Sequence, residues 1–257
     1  METFKLGKYL LFKEKIGNGS FANVYKGIDN ENHREVAVKK INHRGIEKMR
    51  PYIEKEIRIM KGINHNNIVK LYDVIYENKD SQENIYLILE YCPNGDLSTF
   101  FNKNKGISES EAKGYLKQLS EGLKYLIDNN IFHRDLKPQN ILIDKNNILK
   151  ITDFGFAKTI NSYEISETFC GSPLYMAPEI LTYQKYTDSA DLWSVGVIMY
   201  EMIFGFTPYT GNNLYNLVSN IKNNDLIIPN SKKISYECKD LLFSLLQKEP
   251  SQRRIYN

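Results

Sequence analysis

Three carboxylates, two lysines and an asparagine occupy positions where side chains could do chemistry. Asp135, Lys137 and Asn140 fall within the run His133-Arg134-Asp135-Leu136-Lys137-Pro138-Gln139-Asn140, which packs a potential base, two cations and an oxygen ligand into one loop. Asp153 opens Asp153-Phe154-Gly155 after the strand-like run from Ile148 to Thr152. Lys39 closes the otherwise apolar Val36-Ala37-Val38-Lys39, and Glu56 lies on the helical pattern that follows, at a spacing that could face the sheet. A buried lysine–carboxylate pair is expensive to desolvate, so a fold that keeps one does so for a reason.

A glycine turn precedes these groups. Gly17-Asn18-Gly19-Ser20-Phe21-Ala22-Asn23-Val24 sits between two strand-like runs, and its glycines let backbone N–H groups approach phosphate oxygens closely. By itself such a turn is more often an ordinary hairpin, and Lys39 by itself reads as an edge-strand lysine in water. A dinucleotide fingerprint would require a helix after the turn, whereas here a strand follows. Ala177-Pro178-Glu179 comes after a flexible interval. The order and separations of all these pieces leave chance no serious part.

The elements that must position them divide into two kinds. Strands are predicted for Tyr9 to Ile16, Ala22 to Asp29, Glu35 to Ile41, Val69 to Tyr76 and Ile85 to Leu89, with a helix from Met49 to Ile63 carrying Ile53, Ile57 and Met60 on one stripe. Beyond Pro93-Asn94-Gly95 the pattern turns helical. Ser108 and Glu111 form a capping-box pair, and Ala112, Tyr115, Leu116, Leu119, Leu123, Leu126 and Ile127 keep a 3.6-residue period. The expected fold is α+β and bilobal: a strand-rich lobe with one main helix over about 9–91, a short connector near Cys92 to Asp96, and a mostly helical lobe over about 97–257. Ligands tend to bind in the cleft between two such lobes.

Over nearly its whole length, from Tyr9 to about Arg253, the chain resembles the protein kinase superfamily. The resemblance rests on the glycine loop, Val36 to Lys39, Glu56, the run from His133 to Asn140, Asp153-Phe154-Gly155, Ala177-Pro178-Glu179 and Asp191-Leu192-Trp193-Ser194-Val195-Gly196. The segments EYCPNGDL, DFGFA and CGSPLYMAPE are similar to those of the autophagy-initiating kinases, as is Ala22 in place of a third glycine.

The resemblance implies a serine/threonine protein kinase that uses ATP with Mg²⁺, or with Mn²⁺ in its place. It gives Lys39 to the α- and β-phosphates and Glu56 to Lys39, and makes Asp153 and Asn140 the magnesium ligands, both hard oxygen donors. Asp135 orients the substrate hydroxyl and Lys137 reaches the γ-phosphate. The lysine at 137 fits the serine/threonine branch. Ile16, Val24, Ala37 and Leu142 flank the adenine, and Leu89 is the gatekeeper. Backbone groups of Glu90 and Cys92 bind the base, Asp96 touches the ribose, and Arg253 pairs with Glu179. Thr168 is the expected activating phosphosite, with Arg134 to receive its phosphate. Gln139 and Phe156 imply no strong demand for upstream arginine and a preference for serine over threonine. An ATP-binding scaffold with little turnover is the alternative, disfavoured by intact Lys39, Asp135, Asn140 and Asp153.

Composition sets the remaining bounds. The 257 residues, 42% hydrophobic and 25% charged, suit a globular protein, and a net charge of +3 without a basic tract argues against nucleic acid. Cys92, Cys170 and Cys238 lack CxxC spacing, so neither disulfides nor a zinc site is expected and a cytoplasmic, reducing setting is. No apolar leader is visible, and the apolar run from Leu192 to Phe206 is too short for a bilayer and reads as a buried core helix. With only four residues after Arg253, a final kinase helix is expected to be truncated, exposing apolar surface beneath Leu241, Leu242, Leu245 and Leu246.

Overall fold

A computed structural model describes residues 2–18, 22–79, 82–133, 135–153, 173–184 and 189–253. The chain divides into two compact units, Met1–Asn94 with Ile143–Phe156, and Gly95–Leu142 with Ala157–Asn257. The contiguous lobes expected from the sequence therefore differ from the observed division: residues 143–156 return to the first unit.

The first unit is built on a six-stranded antiparallel sheet of order β1-β2-β3-β4-β6-β5. Its strands are β1 (Thr3–Leu6), β2 (Tyr9–Asn18), β3 (Ala22–Asp29), β4 (Arg34–Ile41), β5 (Leu71–Lys79) and β6 (Gln82–Glu90). Strand alternation gives the sheet two different faces. Val36, Val38, Tyr86 and Ile88 join Leu6, Tyr9 and Leu11 in a core cluster on one of them. Ala37 and Lys39 therefore point to the other, and a one-residue slip in β4 would exchange the two sets.

Between β4 and β5 runs α1 (His43–Gly62), capped by Asn42, whose side chain accepts a hydrogen bond from Gly45 N. It begins before the predicted Met49, because Pro51 lies inside it and in sequence reads as a first-turn residue. Ile46, Ile53, Glu56, Ile57 and Met60 are buried along its inner face. Two short strands, β7 (Ile141–Ile143) and β8 (Leu149–Ile151), form a second sheet, turned by Asp144, which accepts from Asn146 N at 2.8 Å and Ile148 N at 2.9 Å.

The second unit is helical: α2 (Leu97–Asn104), α3 (Glu109–Asp128), α4 (Pro178–Leu181), α5 (Ser189–Phe204), α6 (Leu214–Asn223) and α7 (Tyr236–Leu245). The capping box of Ser108 and Glu111 opens α3, and Ala112, Leu119, Leu123 and Leu126 of its stripe are buried. Apolar on nearly every side, α5 is buried throughout from Trp193 to Phe204. Gly196 allows α7 to close on it, for a Cβ there would lie 2.9 Å from atoms of both Leu245 and Leu246. The expected exposure near the end of the chain is corrected by this packing: Leu242, Leu245 and Leu246 are buried and Leu241 half-buried.

Candidate active site

In the first unit, Val24, Lys39 and Leu87 are register partners across β3, β4 and β6, and Gly17 pairs with Val24 from β2. Register partners share a face, so Gly17, Val24 and Lys39 stand side by side, with Ala37 and its partner Leu89 one step along. Ile16 is 49% exposed and Val24 and Ala37 are half-buried, so these aliphatic side chains are not spent on the core and remain available to a flat apolar ligand. Leu89 is buried. Of the glycine turn, Gly17, Asn18, Ala22 and Asn23 lie in strands, while Gly19, Ser20 and Phe21 lie outside the described residues.

Lys39 Nζ lies 2.7 Å from Asp153 Oδ1 and 3.5 Å from Glu56 Oε1. Glu56, on the buried face of α1, does face the sheet, although the shorter contact of Lys39 is to Asp153. Burial by itself would lower the Lys39 pKa, but the Asp153 and Glu56 carboxylates outweigh it and raise it, fixing the ammonium form. Burial raises the Glu56 pKa, against the pull of Lys39. Asp153 adopts φ +61°, the left-handed region that costs a residue with a Cβ some backbone strain.

Beyond Glu90 the ladder of β6 ends, releasing Tyr91 and Cys92 as a connector. Cys92 is buried, and that burial together with the Glu90 charge pushes its thiol up to about 12. Lys150 in β8 is buried and lies 2.7 Å from Glu90 Oε1. Only the backbone of Glu90 was expected to matter from the sequence. The side-chain pair was missed, because a lysine flanked by Leu149 and Ile151 reads as the solvent-facing member of an alternating strand.

In the second unit, the loop before β7 holds one carboxylate between two donors. Lys137 Nζ lies 2.7 Å from Asp135 Oδ2, and Asn140 Nδ2 donates to the same oxygen at 3.1 Å and to the Asp135 carbonyl at 2.8 Å. With its amide nitrogen so engaged, Asn140 has its amide oxygen left to accept a cation. Among the described residues no group of three His, Cys, Asp or Glu side chains could hold a metal ion. Carboxylate and amide oxygens in small number suit Mg²⁺, which completes its shell with phosphate oxygens and water.

Leu142 is half-buried between buried Ile141 and Ile143. Asp96 caps α2, accepting from Thr99 N and from Thr99 Oγ1, each at 2.9 Å, so its carboxylate has a structural task beside the expected ribose contact. Gln139 donates to Ser98 Oγ at 3.2 Å. The Arg253–Glu179 pair expected from the sequence is present, at 2.6 and 2.7 Å. Arg134, Phe156 and Thr168 lie outside the described residues.

The protein kinase domain family matches residues 10–255. The chain belongs to the protein kinase family. This kinase domain is 44% identical to serine/threonine-protein kinase atg1 of Dictyostelium discoideum over 256 residues, covering 97% of this chain and 38% of that protein. It is 43% identical to serine/threonine-protein kinase ATG1c of Arabidopsis thaliana, with 98% and 34% covered, and 39% identical to serine/threonine-protein kinase ULK3 of Mus musculus, with 95% and 52% covered. The chain thus spans about a third to a half of the length of these relatives. All three of these relatives are named as serine/threonine-protein kinases. Among its described residues no helix is long and apolar enough to cross a membrane.

Proposed function

We propose that this domain transfers the γ-phosphate of MgATP to serine and threonine hydroxyls of proteins. The observation that carries the reading is the bracketing of Asp135 by Lys137 and Asn140. Such a loop holds a carboxylate still enough to orient a hydroxyl and receive its proton, while Lys137 offers a cation to the phosphoryl group as charge grows on its oxygens.

Phosphoryl transfer depends on alignment and charge neutralisation more than on covalent chemistry. Lys39, kept cationic by Glu56 and Asp153, binds the α- and β-phosphates. Ile16, Val24, Ala37, Leu89 and Leu142 bind the adenine, the backbone of Glu90 and Cys92 reads its edge, Asp96 meets the ribose, and the turn from Gly17 to Val24 covers the phosphates. Asp153 and Asn140 hold the metal; Mg²⁺, when bound, neutralises the triphosphate charge. Thr168 is a site of autophosphorylation and Arg134 its receptor. Serine is preferred over threonine in the acceptor, and the work of the domain is cytoplasmic and of the autophagy-initiating type. The run of kinase motifs from Gly17 to Glu179 and the resemblance to atg1 support these roles.

The test is incubation with MgATP and a general protein acceptor, beside Asp135→Asn and Asp153→Asn. Phosphate on serine or threonine in the wild type, lost in both variants, is the expected result, and mass spectra of the same samples read Thr168. A wild type that MgATP stabilises against melting but that phosphorylates nothing would overturn the reading.

A further inference from the structure

Resting on that reading, we infer that Lys150 is a positioning residue for nucleotide binding: through the Glu90 carboxylate it fixes the connector whose backbone meets the base. Lys150 neither faces solvent nor takes part in the proposed transfer. Its side chain is 7% exposed and that of Glu90 21%, with 2.7 Å between Nζ and Oε1.

The two ends of this tie differ in how firmly they are held. Ile151 N donates to Asn67 O at 2.8 Å, Val69 N to Ile151 O at 2.9 Å, and Asn67 Nδ2 to Leu149 O at 3.2 Å. Both neighbours of Lys150 are thereby bonded to the segment 67–69, and strand alternation sends the Lys150 side chain away from theirs. The ammonium stands on a strand bonded at both of its neighbouring residues. Glu90 is the last residue of β6, beyond which the chain leaves the ladder. Its N–H donates to Lys70 O at 2.9 Å and its second carboxylate oxygen accepts from Lys70 N at 3.3 Å. The pair holds the final ladder residue at the point where the connector departs.

The same short strand leads three residues on to Asp153, which contacts Lys39. A single pinned strand thus ties the base-binding backbone to the carboxylate on the phosphate side. Removing Lys150 loosens the point where the connector departs and leaves the partly exposed Glu90 carboxylate with Lys70 N but without its cation, so that the carboxylate turns toward water. Nucleotide affinity falls, while Asp135, Lys137 and Asn140 in the other unit keep their own bonds.

The experiment is titration of the purified domain with MgADP, alongside steady-state kinetics, for wild type, Lys150→Met, Lys150→Arg and the double variant Glu90→Gln with Lys150→Met. Lys150→Met is expected to raise the MgADP Kd and the KM for ATP roughly tenfold, with kcat and the acceptor KM within about twofold. Lys150→Arg, which keeps the ion pair, recovers most of that loss. The double variant has no unpaired charge, folds like the wild type and still binds MgADP weakly. A Kd unchanged in Lys150→Met, or restored in the double variant, would overturn the inference, since a merely structural pair behaves so. If Lys150→Met does not fold, the double variant decides. A wild type that binds MgADP but transfers no phosphate removes the proposed function and leaves the Kd comparison intact; a wild type that binds no nucleotide removes both.

Discussion

The Arg253 guanidinium grips Glu179 through two bonds, Nη1 to Oε1 at 2.6 Å and Nη2 to Oε2 at 2.7 Å, with both side chains almost fully buried. Arg253 Nη1 also donates to Ser189 O at 3.0 Å, Nε donates to Gln247 O at 2.8 Å, and its guanidinium carbon lies 5.2 Å from the Trp193 ring. One side chain thus joins α4, the start of α5 and the segment after α7. Either partner left alone is a charge stranded in a dry interior. Arg253→Met and Glu179→Gln are each expected to destabilise the domain by about 3–5 kcal/mol, read by urea unfolding. A loss under about 1 kcal/mol would place the pair among ordinary surface ion pairs.

Packing of α7 on α5 predicts a small residue at 196. A Cβ at that point lies 2.9 Å from the Leu245 Cβ, closer than real side chains come. Gly196→Ala therefore forces a shift of α7, and a loss of about 1–3 kcal/mol is expected even though alanine is the better helix former. A gain in the midpoint of thermal melting would show that α7 gives way freely.

The Lys39 pKa is raised above its ordinary 10.5 by Asp153 and Glu56, which outweigh its burial. A group raised in the folded state contributes stability that is fully present below its unfolded value and is lost as pH rises through the folded one. Above pH 10.5, wild-type stability should therefore fall more steeply than that of Lys39→Met. Denaturant midpoints measured at intervals up to pH 11.5 compare the two slopes, and parallel curves would contradict the coupling.

Cys92 and Cys238 are held up, to about 12 and about 11, chiefly by burial. Thiolate is the reactive form, so at pH 8 both should alkylate at least about a hundredfold more slowly in the folded domain than in urea. Peptide mapping after timed iodoacetamide treatment reads each site separately. Rapid native labelling at Cys92 would mean that the connector opens readily.

Much of the sheet was legible because Val36 to Lys39 and Ile85 to Leu89 are dense in β-branched and aliphatic residues with clear ends. The stripe and capping box of α3 likewise announce themselves. Less could be read where local signals conflict. Pro51 masks the first turns of α1, β1 is a short edge strand carrying Lys5, and α2 is too brief for a period to show. At the site, Lys39, Asp135 and Asn140 were legible as polar groups in motifs of fixed spacing. The partner of Glu90 was not, because the pairing of residues 60 apart depends on how β8 lies beside segment 67–69.

The positive φ of Asp153 bears on how a catalytically dead control should be made. Alanine at that position deletes the carboxylate and also places a side chain with no local hydrogen-bonding ability in a left-handed backbone conformation. Asparagine visits that conformation readily and keeps the shape of the side chain. Loss of activity in an alanine variant would then mix two effects, missing charge and a relaxed chain, whereas the asparagine variant isolates the charge. For this domain the choice between two routine inactive versions is a choice about backbone geometry.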